Sequence, residues 1–376
     1  MVSRADISIL IAGAGPVGLT LALELARRGI KPRIVTQTDG PVSESESRAL
    51  GVNARTLELL EPSGVAGQIR EQAIAIEGLR LTSRGTPLLT IHTNKFRGQA
   101  PALSILPQSA TERLLLEQLR TFEVEPEWHT TVNTVEGGAE TPEVTLIRKD
   151  DSGETVKPTI LVGADGAHSI VRNACGFTFP GEALENDFFL ADYAYDVPVD
   201  VSYARVDFIN PGVLGCIPVR ANVLRYISTL PDFEDRIVHP HDPLEQTWRS
   251  DFKVSFRHVE AMSIGRVYLA GDAAHIHSPI GARGMNLGIE DACWLAWLIS
   301  EGRETEYSAL RLPAVRGVLR QTRMLTALAT LERPAALMLR ERLLPLMTYL
   351  PFAERRLVSG IAGMDTPHPP WIARTQ

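Results

Sequence analysis

The chain has 376 residues, 44% hydrophobic and 22% charged, a globular composition that excludes a disordered or fibrous protein and suggests two or three domains. The net charge of -7, with no lysine or arginine block and no finger-like Cys/His spacing, excludes nucleic acid as a partner. Cys175, Cys216 and Cys293 are widely spaced and odd in number, which argues against a disulfide framework and suits a reducing, cytoplasmic compartment. No apolar run of about 18 residues is present to span a membrane, and the N-terminus lacks a signal-peptide pattern.

Ile7 to Ala12 reads as an apolar strand. Gly13-Ala14-Gly15-Pro16-Val17-Gly18 follows, and then a helix carrying Leu19, Leu21, Leu23 and Leu25 to Arg28. This is the setting of a dinucleotide fingerprint: the first glycine permits a tight turn, the second lets a pyrophosphate approach, and the third lets helix and strand pack closely. The next strand, Pro32 to Thr36, should end in an acid that holds ribose hydroxyls, yet Thr36 and Gln37 stand there. A Thr hydroxyl or Gln amide can still hydrogen-bond a diol, and no Arg or Lys follows at 37 to 40 to take a 2'-phosphate. A polar loop leads to a helix from about Asn53. Arg48 is the cation in that loop, open to reading as a ligand contact or a surface charge. Strand-like runs at Gly78 to Thr82, Pro87 to His92 and Leu103 to Leu106 precede a helix in PQSATERLLLEQLR. Gln108 sits just before it, Ser109 or Thr111 could cap it, and Glu112 falls in its first turn.

Val124 to Val156 alternates and turns like an antiparallel excursion. The chain returns through Ile160 to Gly163 into Ala164-Asp165-Gly166, a second strand ending in a carboxylate. If that strand joins the same parallel sheet, Asp165 lies near the first glycine turn. Residues 180 to about 258 change character, with aromatic and β-branched runs at Phe188 to Tyr195, Ser202 to Ile209, Val213 to Val219 and Val223 to Leu230. An inserted antiparallel sheet is the simplest account, and its inward side chains would cover the reactive face of a flat ligand. Tyr193, Tyr195, Arg205, Arg220 and Tyr226 are its polar candidates, although tyrosine in a sheet serves packing more often than catalysis. His239, His241, His275 and His277 form His-x-His pairs without a Cys or Glu cluster, so no metal site is expected.

The stretch from 266 to 291, RVYLAGDAAHIHSPIGARGMNLGIED, organises the rest. Val267 to Ala270 form a short buried strand. Gly271 ends it, and Asp272 sets a carboxylate beyond the strand's carboxyl end, where open α/β sheets bind ligands and where it can accept hydrogen bonds from a polyol. Pro279, Gly281 and Gly284 make a turn without bulky side chains, and a helix follows with Leu287, Ile289, Leu295 and Leu298 at helical spacing. Its first amides, at Gly284, Met285 and Asn286, form a positive end suited to a delocalised negative charge. After residue 302 the chain reads as helical to about Gly360, interrupted by Pro334 and Pro345, with an irregular tail.

GAGPVG at 13 to 18, GADGAHSIVR at 163 to 172 and GDAAHIHSPIGARGMN at 271 to 286, in this order, resemble the FAD-dependent single-component aromatic hydroxylases, the family of 4-hydroxybenzoate hydroxylase and the polyketide hydroxylases. The resemblance covers about residues 5 to 330 and implies an α/β fold. A Rossmann-type FAD-binding domain (1–180 and 259–302, a parallel sheet with an antiparallel excursion within 78–157) would carry an inserted antiparallel substrate-binding sheet (181–258) and a C-terminal helical region (303–376). It implies that Gly13, Ala14, Gly15, Pro16, Val17 and Gly18 serve the FAD pyrophosphate. Asp165 and Gly166, with Ser169 and Arg172, would serve FAD and the NAD(P)H pyrophosphate. Gly271 and Asp272 would hold the ribityl chain, Pro279 and Gly281 would face the flavin's reactive edge, and Gly284, Met285 and Asn286 would supply amides to its pyrimidine side. Arg48 and Gln108 match flavin-contacting positions, Val132 a weaker adenine contact, and Thr36 and Gln37 the ribose position. No side chain is implied as an indispensable nucleophile.

The activity implied is monooxygenation of an aromatic or polycyclic phenolic substrate by FAD, NADPH or NADH and O2, through a flavin C4a-hydroperoxide. Alternatives are a halogenase or reductase on the same frame, or a non-catalytic nucleotide-binding protein. The sequence departs from the family pattern at Thr36 and at Ala282-Arg283, where a Gly-Gln pair is commoner.

Overall fold

The computed structural model describes residues 8–43, 49–93, 101–209, 212–331 and 333–372. The chain opens with β1 (Ile9–Ala12), α1 (Pro16–Ala26) and β2 (Arg33–Val35), then β3 (Gly51–Asn53), α2 (Ala54–Leu60), α3 (Val65–Gln72) and β4 (Ile74–Ala75). A hairpin of β5 (Gly78–Ser83) and β6 (Thr86–His92) precedes β7 (Leu103–Ile105) and α4 (Gln108–Arg120). Next come β8 (Thr130–Glu136), β9 (Glu143–Arg148), β10 (Gly153–Val156), β11 (Ile160–Gly163) and the short α5 (Ile170–Ala174). The middle of the chain is β12 (Gly181–Ala194), β13 (Tyr203–Phe208), β14 (Val213–Arg220), β15 (Val223–Ser228) and β16 (Glu245–His258). β17 (Ser263–Ile264), β18 (Val267–Leu269) and β19 (His275–Ile276) lead to α6 (Gly284–Glu301), α7 (Tyr307–Ala329), α8 (Pro334–Leu343) and α9 (Pro351–Ile361).

β17, β18, β11, β1 and β2 form a five-stranded sheet in that order, parallel except for the β17–β18 pair. Its central strands are buried on both faces, which is why they read as unbroken apolar runs. α1 and α6 pack on it side by side: the Val17 side chain fills the space that Gly271 and Gly288 leave open, where added Cβ atoms would lie 2.7 and 2.6 Å from its Cγ2. β8, β9 and β10 make the expected antiparallel excursion beside this sheet.

The second sheet has eight strands in the order β19-β16-β12-β15-β14-β13-β5-β6. It is larger than expected at both ends. The β5–β6 hairpin, read as part of the excursion within 78–157, instead continues this sheet, because β5 pairs parallel with β13 from Tyr203↔Gly78 to Phe208↔Ser83. β16, a polar 14-residue strand not singled out in the sequence, pairs along β12.

Strand alternation gives this sheet two faces. Phe188, Ile227, Val254 and Phe256 lie on one, where Ile280 of the 279–284 turn packs against them. Val206, Phe208 and Val213 share that face and meet Ile280 with Ala329 and Leu344 of the C-terminal helices. The opposite face carries Ala191, Tyr193, Tyr195, Cys216, Leu224 and Tyr226, covered by Phe233 and Ile237 from the chain's own 229–241 segment.

Candidate active site

The parallel register brings the three strand ends level: Ala12 opposes Gly163, and Gly163 opposes Leu269. The Ala164 amide donates to Ala12 (2.8 Å) and the Ala270 amide to Gly163 (3.0 Å), so the three glycine-containing motifs leave the sheet along one edge. Each glycine of the first turn behaves differently. Gly13 has φ +102° and its Cβ would collide with the Ala164 carbonyl; a Cβ on Gly18 would collide with the Gly13 carbonyl. Gly15 has ordinary extended backbone (φ -76°, ψ -173°) and no atom within 4 Å of an added Cβ. Strand packing therefore requires two of these glycines, while the third leaves its backbone open at the N-terminus of α1, which has no side-chain cap and no acid in its first turn. Ala14 is buried, and Pro16 is the first residue of the helix.

The second motif is wired into the third. The Asp165 Oδ2 accepts from the amides of Ile170 (2.8 Å) and Val171 (3.2 Å), and Ser169 caps the helix by accepting from Arg172 N (2.9 Å). Burial pushes the Asp165 carboxyl above the usual carboxylate value, although these hydrogen bonds oppose the shift. The Asp165 Oδ1 is buried with no partner among the described residues. Gly166 turns with φ +79°. The buried Arg172 guanidinium donates to the carbonyls of Ala167 (2.9 Å) and Ala273 (3.2 Å), reaching directly behind Asp272.

Asp272 itself is exposed on the short helical turn Gly271–Ala273, and Gly271 has φ +62°. The backbone around it is held from behind by side chains of which the sequence pointed only to His275, and there as half of a His-x-His pair. Asp291 Oδ2 accepts from Gly271 N (3.3 Å) and pairs with His275 Nε2 (2.6 Å), while its Oδ1 accepts from Arg311 Nε (2.9 Å). Arg311 Nη1 also donates to Glu290 (2.7 Å), and the Tyr307 hydroxyl donates to Leu269 O (3.0 Å). All five side chains are buried. Burial alone would raise the Asp291 carboxyl, but the Arg311 and His275 charges hold it below its ordinary value. His277 donates through Nδ1 to Ser278 O (2.8 Å), and burial lowers its pKa to about 4, so it is neutral. Each histidine of the pair is thus engaged through one ring nitrogen, His275 with Asp291 and His277 with backbone, and no group of three or more potential metal ligands occurs among the described residues.

Pro279 is exposed, and the turn closes with Ala282 N donating to Pro279 O (3.0 Å). Gly281 has φ +91° and Ala282 φ +52°, a left-handed conformation that costs an alanine about 1–2 kcal/mol. Arg283 points away from the turn to Gly360 O and Asp365 (2.8 Å), so the second departure from the family pattern ties the turn to the C-terminal segment. α6 starts at Gly284 without a side-chain cap or an acid in its first turn. Met285 is half-buried. The Asn286 side chain is committed to structure: its Oδ1 accepts from Asn53 N (2.9 Å) and Thr56 Oγ1 (2.7 Å), and its Nδ2 donates to Gly51 O (2.8 Å) and Ala282 O (2.7 Å).

The remaining expected residues are less uniform. Gln108 is the first residue of α4, after Pro107, rather than just before the helix, and neither Ser109 nor Thr111 caps it. Instead the Gln108 Oε1 accepts from Ala49 N (3.3 Å) and its Nε2 donates to Glu112 (2.8 Å), which in turn accepts from Val42 N (2.7 Å). Arg48 lies between those two loop residues and outside the described residues. Thr36 is buried against Thr38 (Oγ1···Oγ1 3.1 Å), and Gln37 is exposed. The Val132 side chain is in the apolar core with Val144 and Leu146.

The sheet candidates require a correction. Tyr193, Tyr195, Arg205 and Tyr226 do not face the 279–284 turn; period-two alternation puts them on the opposite face with Cys216. There Tyr195 OH meets His239 Nδ1 (2.8 Å) and Tyr226 OH (3.2 Å), Tyr193 donates to Glu234 (3.0 Å), and Arg205 reaches Cys216 Sγ (3.4 Å). Burial pushes all three phenols above their ordinary value. Arg220 is exposed at the end of β14. The charged pair on the inner face is Asp192–Arg225, bonded at 2.7 and 2.8 Å, both buried, with Arg225 over the Trp248 ring. An Asp and an Arg, each between apolar neighbours, were its signal in the sequence, and the strand register sets them opposite each other.

Fold and strand-end geometry together define a dinucleotide-cofactor α/β unit facing one side of a large, mostly antiparallel sheet. Residues 6–236 and 230–320 match the FAD binding domain family. Over 390 residues the chain is 33% identical to 6-methylpretetramide 4-monooxygenase of Streptomyces rimosus, covering 95% of this chain and 69% of that one. It is 30% identical to pentachlorophenol 4-monooxygenase of Sphingobium chlorophenolicum, covering 79% of this chain and 58% of the relative. The anhydrotetracycline hydroxylase OxyS of Streptomyces rimosus superposes with a TM-score of 0.78 at 29% identity, over 96% of this chain and 77% of that structure. The chain belongs to the FAD-dependent aromatic hydroxylases and is an FAD-dependent monooxygenase. Among the described residues no helix is long and apolar enough to cross a membrane.

Proposed function

We propose that the protein uses NADPH or NADH and O2 to place one oxygen atom on an aromatic or polycyclic phenolic substrate. The observation that carries this reading is the convergence of open backbone at Gly15, the uncapped start of α6 and the exposed Asp272 on one edge of the parallel sheet. These features fit FAD. Open amides at a helix start suit its pyrophosphate and the pyrimidine side of its ring, and a carboxylate suits its ribityl hydroxyls. Bound FAD supplies the redox chemistry, taking a hydride from the nicotinamide and activating O2 for transfer of one atom.

The chain's own residues do the rest. Gly13 to Gly18 and Asp165 with Gly166 flank the pyrophosphate, Asp272 orients the polyol, and the first turn of α6 favours negative charge on the reduced ring. The inner face of the large sheet, with Phe188, Leu190, Ile227 and Val254, excludes water opposite Pro279 and Ile280, while Asp192 and Arg225 are its polar pair. Domain limits follow from this reading: the FAD-binding unit is 1–180 with 259–302, apart from the β5–β6 hairpin, which joins 181–258 in the substrate-facing sheet.

Purification with FAD, desalting and a visible spectrum test the cofactor. Flavin bands should survive desalting, and Asp272→Ala should lose them. Retention by the variant equal to the parent's would remove Asp272 from the site. Phenols that stimulate NADPH or NADH oxidation and gain one oxygen by mass spectrometry would establish the reaction; oxidation without product oxygenation would refute it.

The face assignment gives a second expectation. Tyr226→Phe should leave substrate-stimulated turnover within about twofold of the parent, since the phenol is buried on the far face in the Tyr195 and His239 cluster and does not reach the flavin turn. A loss of tenfold or more would place that face at the chemistry.

A further inference from the structure

We propose that Asp291, which stands on α6 away from any cofactor-facing position, is the positioning residue for Asp272, so that one helix sets both the ribityl and the pyrimidine contacts of the flavin. The inference rests on the FAD reading above. Asp291 sits two turns beyond the α6 start, fully buried, and its Oδ2 accepts from the amide of Gly271, the residue immediately before Asp272. Gly271 takes a left-handed φ of +62°, with Val17 in the space a side chain would occupy, and its held amide fixes the chain just before Asp272. The same Oδ2 takes His275 Nε2 at 2.6 Å, which pins the chain on the other side of Asp272, and Arg311 fixes the remaining oxygen. Arg172 grips Ala273 O from the second motif. The Asp272 loop is therefore gripped before and after its carboxylate, and Asp291 is the group that both flanking contacts share.

Asparagine cannot replace Asp291. If its carbonyl faces Gly271 and His275, its NH2 meets the Arg311 donor; reversed, its NH2 meets the Gly271 N–H. Asp272 then loses its fixed place while the glycine turn at 13–18 stays intact. Two ligands separate these effects: FAD engages the whole site, whereas ADP engages only the adenosine and pyrophosphate end.

In Asp291→Asn the dissociation constant for FAD, followed by flavin fluorescence on the apoprotein, should rise about tenfold or more, as loss of a charge-assisted hydrogen bond implies. The ADP constant, measured by calorimetry, should stay within about twofold. His275→Leu, which removes a partner of the Asp291 carboxylate without stripping its charge, should weaken FAD alone. His275→Gln, which keeps a donor there, should restore most of the affinity. If Asp291→Asn does not fold, the His275 pair decides the matter alone. Parent-like FAD binding in Asp291→Asn or His275→Leu, or equal losses of FAD and ADP, would overturn the assignment. A parent that binds no FAD would overturn the cofactor reading and this inference with it, and the parent measurement alone reveals that case.

Discussion

Gly15→Ala should fold and melt like the parent yet bind FAD about 10- to 100-fold more weakly. The backbone at Gly15 is extended, so alanine adopts it without strain, and its Cβ meets nothing within 4 Å. Any loss of affinity is then overlap between a methyl group and the bound cofactor, at the roughly 1–3 kcal/mol that overpacking costs. Gly13→Ala and Gly18→Ala make the contrast. Their Cβ atoms collide with the Ala164 and Gly13 carbonyls, and Gly13 adds a left-handed φ, so both should lower stability of the apoprotein as well as FAD binding. Circular dichroism and thermal melting of the three apoproteins, with flavin fluorescence titration, separate the roles. Undiminished FAD binding by Gly15→Ala would mean that the pyrophosphate does not lie over this turn.

This separation shows how much of the site was legible in the sequence. Gly13-x-Gly15-x-x-Gly18, Gly163-Ala-Asp165-Gly166 and Gly271-Asp272 are local signals, each a strand followed by an obligatory turn, and the parallel sheet aligns them because β1, β11 and β18 are neighbours. The inserted sheet and the C-terminal helices were legible from strand and helix periodicity for the same reason. Which face of the sheet meets the flavin turn was not legible. Alternation assigns Tyr193 and Asp192 to opposite faces, but only tertiary packing of Ile280 on Phe188 and Val254 decides which face is inward. β16 escaped notice because its first half is polar and only Val254 and Phe256, near its end, are buried. The β5–β6 hairpin was read as a strand pair, yet its partner β13 lies more than a hundred residues later, beyond any local pattern. The clamp behind Asp272 left one trace, the adjacent acids Glu290 and Asp291 in the mostly apolar body of α6; nothing local could match them with His275 and Arg311.

Arg311→Leu should be the most destabilising of these substitutions, by about 3–5 kcal/mol, because it leaves Asp291 and Glu290 buried without their shared cation. A fall of roughly 4–6 °C in the thermal midpoint is expected for a chain of this size. The pH dependence gives the mechanism its sign. In the parent the folded Asp291 carboxyl lies below its ordinary value, so its contribution is present above the unfolded value and is lost as pH falls through the folded one. Without Arg311, burial dominates and the folded carboxyl rises above the unfolded value, so the variant gains stability relative to the parent as pH falls. The gap between parent and variant should therefore narrow from pH 8 to pH 5. Arg311→Lys should recover part of the loss, since one ammonium keeps the charge but cannot reproduce the guanidinium fork that reaches both carboxylates at 2.7 and 2.9 Å. A gap of the same size at both pH values would show that Arg311 acts through its packing beneath Trp294 and not through its charge.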